Sequence, residues 1–359
     1  MQINIADNIL DTGWKDFTPS ESPFLSYEFF LALEESHVVG NSSGWQPIYI
    51  EEPGNSLLYT FAKNHSYGEY IFDWDWANFY QQQGIQYYPK LTSMIPFTSA
   101  TTPHFLSSTS DGVMAKYEEI YQKNNFSSSH FLFITESERE YFKSKDYLIR
   151  DSFQYHFYNK NYESFDGFLQ DLKPKKAKQI RKERRFSEGI TFNRFTGDKL
   201  SPRHAVEMFQ FYHATIKKKN AIAYLNEDFF LMIFDKLRHN IVYVQASKND
   251  EAIAGAFYFF SSSCLYGRYW GTTEDIKNLH FELCYYQGIE FCIENKINDF
   301  EAGAQGEHKI ARGFRPVKTF SAHKMKIPVI HGAIENYISE ERASINQLFP
   351  LLESKLPFR

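Results

Sequence analysis

The chain has 359 residues, 43% of them hydrophobic and 23% charged, which is enough to bury two domain cores and excludes a disordered polymer. Its net charge of −5 excludes a general DNA binder while permitting a local basic patch. The cysteines Cys264, Cys284 and Cys292, without a CxxC pair, argue against a disulfide frame and against structural zinc, and fit a reducing compartment.

The N-terminus MQINIADNILDTGWKDF lacks the basic-then-apolar pattern of a signal peptide. No window approaches the ~18 apolar residues of a membrane span. A cytoplasmic chain is therefore expected. Aromatic residues reach 18%; most are expected to fill cores, and some to line clefts.

Ser22-Pro23 followed by FLSYEFFLALEES predicts a helix start and an amphipathic helix. Residues 45–50 and 57–63 read as strands around the Pro53-Gly54 turn. The segment KNHSYGEYIFDWDWA sets His65, Tyr67 and Glu69 beside Gly68, and these three are expected to line the wall of a cleft. No metal-ligand spacing occurs there. A helix over 78–83, a strand over 87–91 and a loop over 98–106 follow. Helices over 114–123 and 136–142 then alternate with strands over 131–135 and 153–158. This alternation predicts an α/β or α+β layer fold with mixed central sheets flanked by helices.

A helix over 162–172 precedes the basic run 173–188. Residues 173–185 hold eight cations and one carboxylate. Pro174 suits the first turn of a helix and Gly189 its end. Lys178, Arg181, Lys182 and Arg185 fall at i, i+3, i+4 and i+7 and so share a face. Together with Arg184 they are expected to bind the phosphates of a nucleotide, a tRNA backbone or a lipid headgroup. The competing reading is an ordinary solvated helix face.

The second half reads as a strand (190–195), helices (202–219 and 227–239), a strand (241–247) and a hairpin (252–260 with 264–270). A helix over 279–294, a strand over 299–303, a strand over 319–327 and a last helix over 334–356 complete it. Between the last two strands runs the stretch FEAGAQGEHKIARGFRPVK, in which glycines are mixed with a carboxylate, an imidazole and several cations. Glycines let a backbone approach a ligand closely, so this loop is the prime candidate for a site.

The order of these elements resembles the acyltransferase fold of the GNAT superfamily, in which central strands splay and donor meets acceptor in the gap. The gap would lie between residues 266–270 and 300–304. More narrowly, KNHSYGEYIFDWDWA, YYPKL, IRKERR, GRYWG, LHFELCYYQGIEFCI and FEAGAQGEHKIARGFRP followed by TFSAH resemble the FemAB-like predicted N-acyltransferases, also labelled peptidoglycan biosynthesis/recognition proteins. The resemblance spans most of the chain. It implies two GNAT-like domains in tandem, expected at residues 1–160 and 161–359, with the active cleft in the second.

The resemblance also implies transfer of an acyl or aminoacyl group to an amine acceptor, such as a small amine or a cell-wall precursor. No tightly bound cofactor is implied; the co-substrate would be acyl-CoA or aminoacyl-tRNA. The alternative is a non-catalytic protein that recognises a cell-wall or nucleotide-linked ligand on the same scaffold. The Arg/Gln-x-x-Gly-x-Gly/Ala loop with which GNAT enzymes grip CoA pyrophosphate is replaced here by GTTEDIKN. That departure speaks against CoA and for a tRNA or nucleotide-linked donor.

Aminolysis needs a deprotonated amine and a stabilised oxyanion. His308 is the first choice as base, because imidazole titrates near neutrality, with Glu307 second. Tyr269 is a candidate donor to the oxyanion or leaving group, and His280 a neutral base at a helix start. Lys309, Arg312 and Arg315 would grip phosphate or carboxylate. Arg268, Trp270, Glu282 and Gln305 are further candidates for substrate contact. No pair of histidines has metal-ligand spacing.

Overall fold

The computed structural model describes residues 2–17, 21–71, 73–185, 189–304 and 306–359. In chain order the first elements are β1 (Asn4–Ala6), α1 (Tyr27–Glu35), β2 (Trp45–Glu52), β3 (Ser56–Lys63), α2 (Trp74–Gln82), β4 (Lys90–Ser93) and β5 (Phe105–Ser107). Next come α3 (Asp111–Lys123), β6 (Ser128–Ile134), α4 (Glu136–Ser144), β7 (Leu148–Tyr158), α5 (Phe165–Asp171), α6 (Pro174–Arg184) and β8 (Ile190–Thr196). Then α7 (Pro202–Lys218), α8 (Glu227–Lys236), β9 (Ile241–Lys248), β10 (Glu251–Phe260) and β11 (Cys264–Thr272) follow. The chain closes with α9 (Leu279–Phe281), a π turn (Glu282–Tyr286), α10 (Gln287–Asn295), β12 (Asp299–Glu301), a 3₁₀ turn (Glu307–Arg312), β13 (Arg315–Met325) and α11 (Pro328–Ser354).

Two compact units emerge. Unit 1 joins an N-terminal stretch to Phe24–Phe153 and Lys318–Leu348; unit 2 comprises Glu21–Pro23, Gln154–Val317 and Phe349–Arg359. The expected division at 160/161 compares with a passage from unit 1 to unit 2 at Phe153/Gln154. The chain also returns to unit 1 at Val317/Lys318 and re-enters unit 2 at Leu348/Phe349, returns for which a single boundary had no place.

Local chemistry explains many helix starts. Ser26 accepts the Phe29 N–H (3.2 Å), Ser110 that of Val113 (3.3 Å) and Asn226 that of Phe229 (3.0 Å). Thr135 and Glu138 form a reciprocal capping box. Each such cap contributes about 1 kcal/mol. The apolar stripe of α3, with Val113, Met114, Tyr117 and Tyr121 buried, packs in the unit 1 core with Ile50, Leu58, Leu91, Phe131 and Phe142.

In unit 1, β2, β3 and β4 form an antiparallel meander, α3 crosses over, and β6 pairs parallel with β4. The 318–325 part of β13 then pairs antiparallel with β6. Unit 2 repeats the plan. There β8, β9, β10 and β11 are antiparallel, the α9–α10 segment crosses over, and β12 pairs parallel with β11. The 154–158 part of β7 pairs antiparallel with β12. A parallel pair requires such a crossover. This repeated order is the tandem GNAT-like arrangement expected from the sequence.

Several expected bounds change. The strand expected at 87–91 is β4 at 90–93, and the strand expected at 299–303 stops at Glu301. The last helix begins at Pro328 rather than 334, because proline is tolerated in a first turn. The segment 98–106, read as a loop, ends in β5, which pairs with β3.

Candidate active site

The parallel pair of unit 2 opens a gap. β11 and β12 are in register at only three positions, Cys264–Asp299, Leu265–Phe300 and Tyr266–Glu301. Beyond them β11 runs on to Thr272 while β12 ends. Opposite β10, Phe257 pairs with Tyr269 and Tyr258 with Gly267, so Arg268 is the extra residue of a bulge. A cavity of about 90 Å³ lies beside the gap, lined by residues 256–258 of β10, residues 267–270 of β11, Ala302 and the side of the next helix that carries His280, Cys284 and Tyr285. Behind β11, α7 packs backbone to backbone. A Cβ on Gly271 would lie 1.8 Å from the carbonyl oxygen of Phe211, so only glycine admits this contact.

The glycine-rich loop turns at the mouth of the gap. Gly303, Gly306 and Gly313 all have positive φ. A Cβ on Gly306 would also come within 2.6 Å of the His308 ring, so this glycine serves both the turn and the imidazole. His308 is exposed on one side, and its Nε2 lies 2.8 Å from the Tyr285 hydroxyl. Burial, with Arg312 and Lys309 adding positive field, holds His308 below the usual imidazole range.

His280 packs on the Trp270 ring at 4.6 Å between centroids. Burial first, then the charges of His308, Lys219, Arg312 and Lys309, push it down to about 4, so it is neutral at pH 7. Burial raises the Tyr285 hydroxyl and the Cys284 thiol above their ordinary values; Tyr285 keeps its proton and Cys284 is no thiolate nucleophile.

Several other candidates have partners within the protein. Lys309 is buried and donates from Nζ to the Gly303 carbonyl at 2.7 Å. Burial pushes its amine down to about 8, against the pull of Glu301. Arg312 is buried and donates to the His308 carbonyl (2.7 Å), the Tyr286 hydroxyl (3.1 Å) and Glu183 (3.0 Å). Its guanidinium also stands 3.4 Å from the Phe281 ring centroid. The Arg268 side chain pairs across the gap with Glu301 at 2.8 Å, the two side chains being 4% and 5% exposed.

Glu282 accepts from both Arg184 Nε (3.0 Å) and an Arg184 terminal nitrogen (2.7 Å). Arg315 lies 4.6 Å from the Phe358 ring. Glu307 is exposed and reaches Lys355 at 3.5 Å. Tyr269 stacks on Phe257, their planes 15° apart. Gln305 lies outside the described residues.

The basic run forms α6, and its two sides differ. Arg184 turns inward to Glu282 and to Glu290 (2.7 Å), which corrects its expected place among the phosphate-binding groups. Glu183 also turns inward, to Arg312 and Tyr286. Lys178, Arg181, Lys182 and Arg185 are exposed on the outer face, where Arg181 meets the exposed Asp166 at 3.2 Å.

His65, Tyr67 and Glu69 belong to unit 1. The Nε2 of His65 lies 2.9 Å from the Ser43 carbonyl. Tyr67 is exposed and packs beside Trp74. Glu69, expected to face a ligand, is instead 1% exposed inside a charge cluster. There Lys90 donates to Glu69 (2.8 Å), to Ser66 (2.8 Å) and to Asp73, and Lys63 lies over the Trp45 ring. Tyr87 links Asp73 (2.6 Å) towards His130, whose Nδ1 is 2.8 Å from that of His323.

Burial, reinforced by Lys90 and Arg150 and, for His323, by His130, holds both histidines well below their ordinary range. The unfolded chain therefore takes up these protons as pH falls below about 6.5 while the folded chain does not. Their contribution to stability is complete above that pH and declines below it. The unfolding free energy from urea denaturation should fall between about pH 6.5 and 5.5, by up to ~1.4 kcal/mol per pH unit for each histidine. The fall should be shallower in His130→Gln.

Tyr285, Cys284 and Glu301 were not among the sequence candidates. Along residues 279–294 a strict 3.6-residue period puts Leu283 and Tyr286 on one face. The π turn inserts one residue and brings Tyr285 to the cavity as well. Among the described residues no group of three His, Cys, Asp or Glu side chains could hold a metal. Among them also no helix is long and apolar enough to cross a membrane.

The profile of the FemAB-like family, described as peptidoglycan biosynthesis/recognition, matches residues 5–359. No curated protein matches the sequence. Among solved structures, FemX is similar at 9% identity with a TM-score of 0.55, covering 93% of this chain and 100% of that one. The C-terminal domain of a putative lysylphosphatidylglycerol synthetase from Agrobacterium fabrum is similar at 9% identity and a TM-score of 0.55, over 87% and 91% of the two chains. A conserved protein of unknown function from Bacteroides thetaiotaomicron is similar at 13% identity and a TM-score of 0.55, over 90% and 100%. These three likenesses are of fold.

Proposed function

The chain belongs to the FemAB-like family, and from that premise we propose that unit 2 is an N-acyltransferase site that passes an aminoacyl group from tRNA to an amine of a small acceptor such as a cell-wall precursor. The observation that carries this reading is the cavity beside the diverging ends of β11 and β12, with Tyr285 in its wall and His308 bonded to the Tyr285 hydroxyl. An acyl carbonyl seated there meets an amine from the open side. The amine nitrogen bonds to the carbonyl carbon, and the ester C–O bond breaks.

The proton shed by the amine passes to the Tyr285 oxygen while Tyr285 gives its own to Nε2 of His308. The imidazolium then returns a proton to the leaving oxygen. His308 is thus the base, acting through a tyrosine that remains protonated at rest. Neutral His280 keeps one N–H for the developing oxyanion. Glu307 pairs with Lys355, and we assign it no proton transfer.

The donor is inferred from charge. The turn after β11 carries Glu274 and Asp275, paired with Lys248 and Lys218, in place of the glycine-rich loop whose backbone N–H groups would hold a pyrophosphate. The outer face of α6 offers exposed cations suited to an RNA backbone. Binding of charged tRNA and of acyl-CoA at low and moderate salt tests this. Replacing Lys178, Lys182 and Arg185 with alanine should weaken tRNA binding and flatten the log–log salt slope by about two to three, leaving the fold intact. Stabilisation by acyl-CoA, with tRNA unbound or unaffected by the triple variant, would contradict it.

A further inference from the structure

Unit 1 carries a concave surface of its own, whose wall backs onto the buried charge cluster through Tyr87 and Tyr88. A groove of about 520 Å³ runs along α2 and is lined by Asn78, Gln81, Gln86, Tyr87 and Tyr88, together with Ala77, Gly84 and Ile85. That volume falls in the range of small-ligand pockets. None of the described side chains lining it carries a charge at neutral pH. Asn78, Gln81 and Gln86 are exposed, and each amide offers two donors and an acceptor.

Trp74, Asn78 and Gln81 are spaced i, i+4 and i+7, so they form one row on α2. Trp74 is 39% and Tyr67 41% exposed, with ring centroids 5.2 Å apart. These two open rings stand just beyond the groove's lining, at the end of the row of neutral amides, and extend its hydrogen-bonding surface with an apolar one. Tyr88 is tied in place through its hydroxyl to Ser66 at 2.8 Å, which fixes the groove wall.

We propose that this groove binds a neutral saccharide. A sugar ring has an apolar C–H face, which packs on an aromatic ring, and a rim of hydroxyls that both donate and accept, which side-chain amides match in both senses. An anionic ligand would find no cation in the lining, and a fully apolar one would strand three amides. The site is independent of the unit 2 cavity and stands whether or not that cavity transfers acyl groups.

The test follows tryptophan fluorescence and amide NMR shifts of the full chain on titration with neutral disaccharides: chitobiose, cellobiose and maltose. At least one should give saturable shifts, indifferent to added salt. Trp74→Ala and Gln81→Ala should each weaken the affinity by at least about tenfold, the scale of 1.4 kcal/mol. Both positions are exposed, and circular dichroism checks that the fold is kept. Lys178→Ala on α6 should leave the affinity unchanged. Absence of a saturable shift with all three sugars would overturn the proposal. So would shifts that persist in both groove variants, or binding that weakens steeply with salt.

Discussion

Tyr285→Phe should lower the turnover of acyl transfer by about 10²–10³-fold while leaving donor and acceptor affinities nearly unchanged. The variant deletes one oxygen, the one that lies 2.8 Å from Nε2 of His308, and keeps the ring that packs on Phe314 and His280. His308→Ala should cost a comparable factor, because the two groups act in series. The double variant should be little worse than the poorer single one.

The pH profile gives a further signature. His308 is held below the ordinary imidazole value, so kcat/KM should rise with pH through an apparent value below about 6.5 and then level. That limb should vanish in His308→Ala. A protein that only binds its ligand would lose affinity in these variants, or nothing.

Lys90→Met should destabilise the fold by about 3–5 kcal/mol, a fall in Tm of roughly 10 °C. Lys90 is 1% exposed and is the cation shared by Glu69 and Asp73, which are 1% and 3% exposed. Removing it leaves two carboxylates close together in the interior, with Lys63, 3.7 Å from Glu69, and the charge of Arg150 in partial compensation. Asp73→Asn in the Lys90→Met background should recover part of the loss, because it removes one uncompensated charge. Denaturation curves of the three variants measure both effects. A Lys90→Met loss below about 1 kcal/mol would mean that the cluster is hydrated and its charges screened.

The second half of the chain was readable because its helices are long and periodic and its strands alternate with them. The strand–helix order, the turn at Gly303 to Gly313 and the shared outer face of Lys178, Arg181, Lys182 and Arg185 all follow from spacing. What spacing does not carry is partnership. Lys309 and Arg312 look in sequence like exposed cations of a polar loop, yet both are buried, because Gly303, Glu183 and Tyr286 lie where the folded loop brings them.

Arg184 has the same composition around it as Arg185, and only the docking of α6 separates an internal ion pair from a solvent-facing charge. The π turn hid Tyr285, since one inserted residue breaks the 3.6-residue rule on which the packed face was read. The exchange of β7 and β13 between halves of the sequence is a property of long-range strand pairing, which no local pattern encodes. In the first half, KNHSYGEYIFDWDWA advertised polar groups but not that Glu69 and Asp73 are buried against Lys90 while Tyr67 and Trp74 stay outside.

The most direct test of the acyl-transfer assignment is to incubate the protein with tRNA carrying a labelled amino acid and with a panel of amines that includes cell-wall precursors, and to follow the label by mass. A new labelled amide is expected with the native chain, its rate falling about 10²–10³-fold in Tyr285→Phe although charged tRNA still binds. Tight binding of tRNA and amine with no amide formed, or a labelled amide formed equally fast by Tyr285→Phe and His308→Ala, would contradict it.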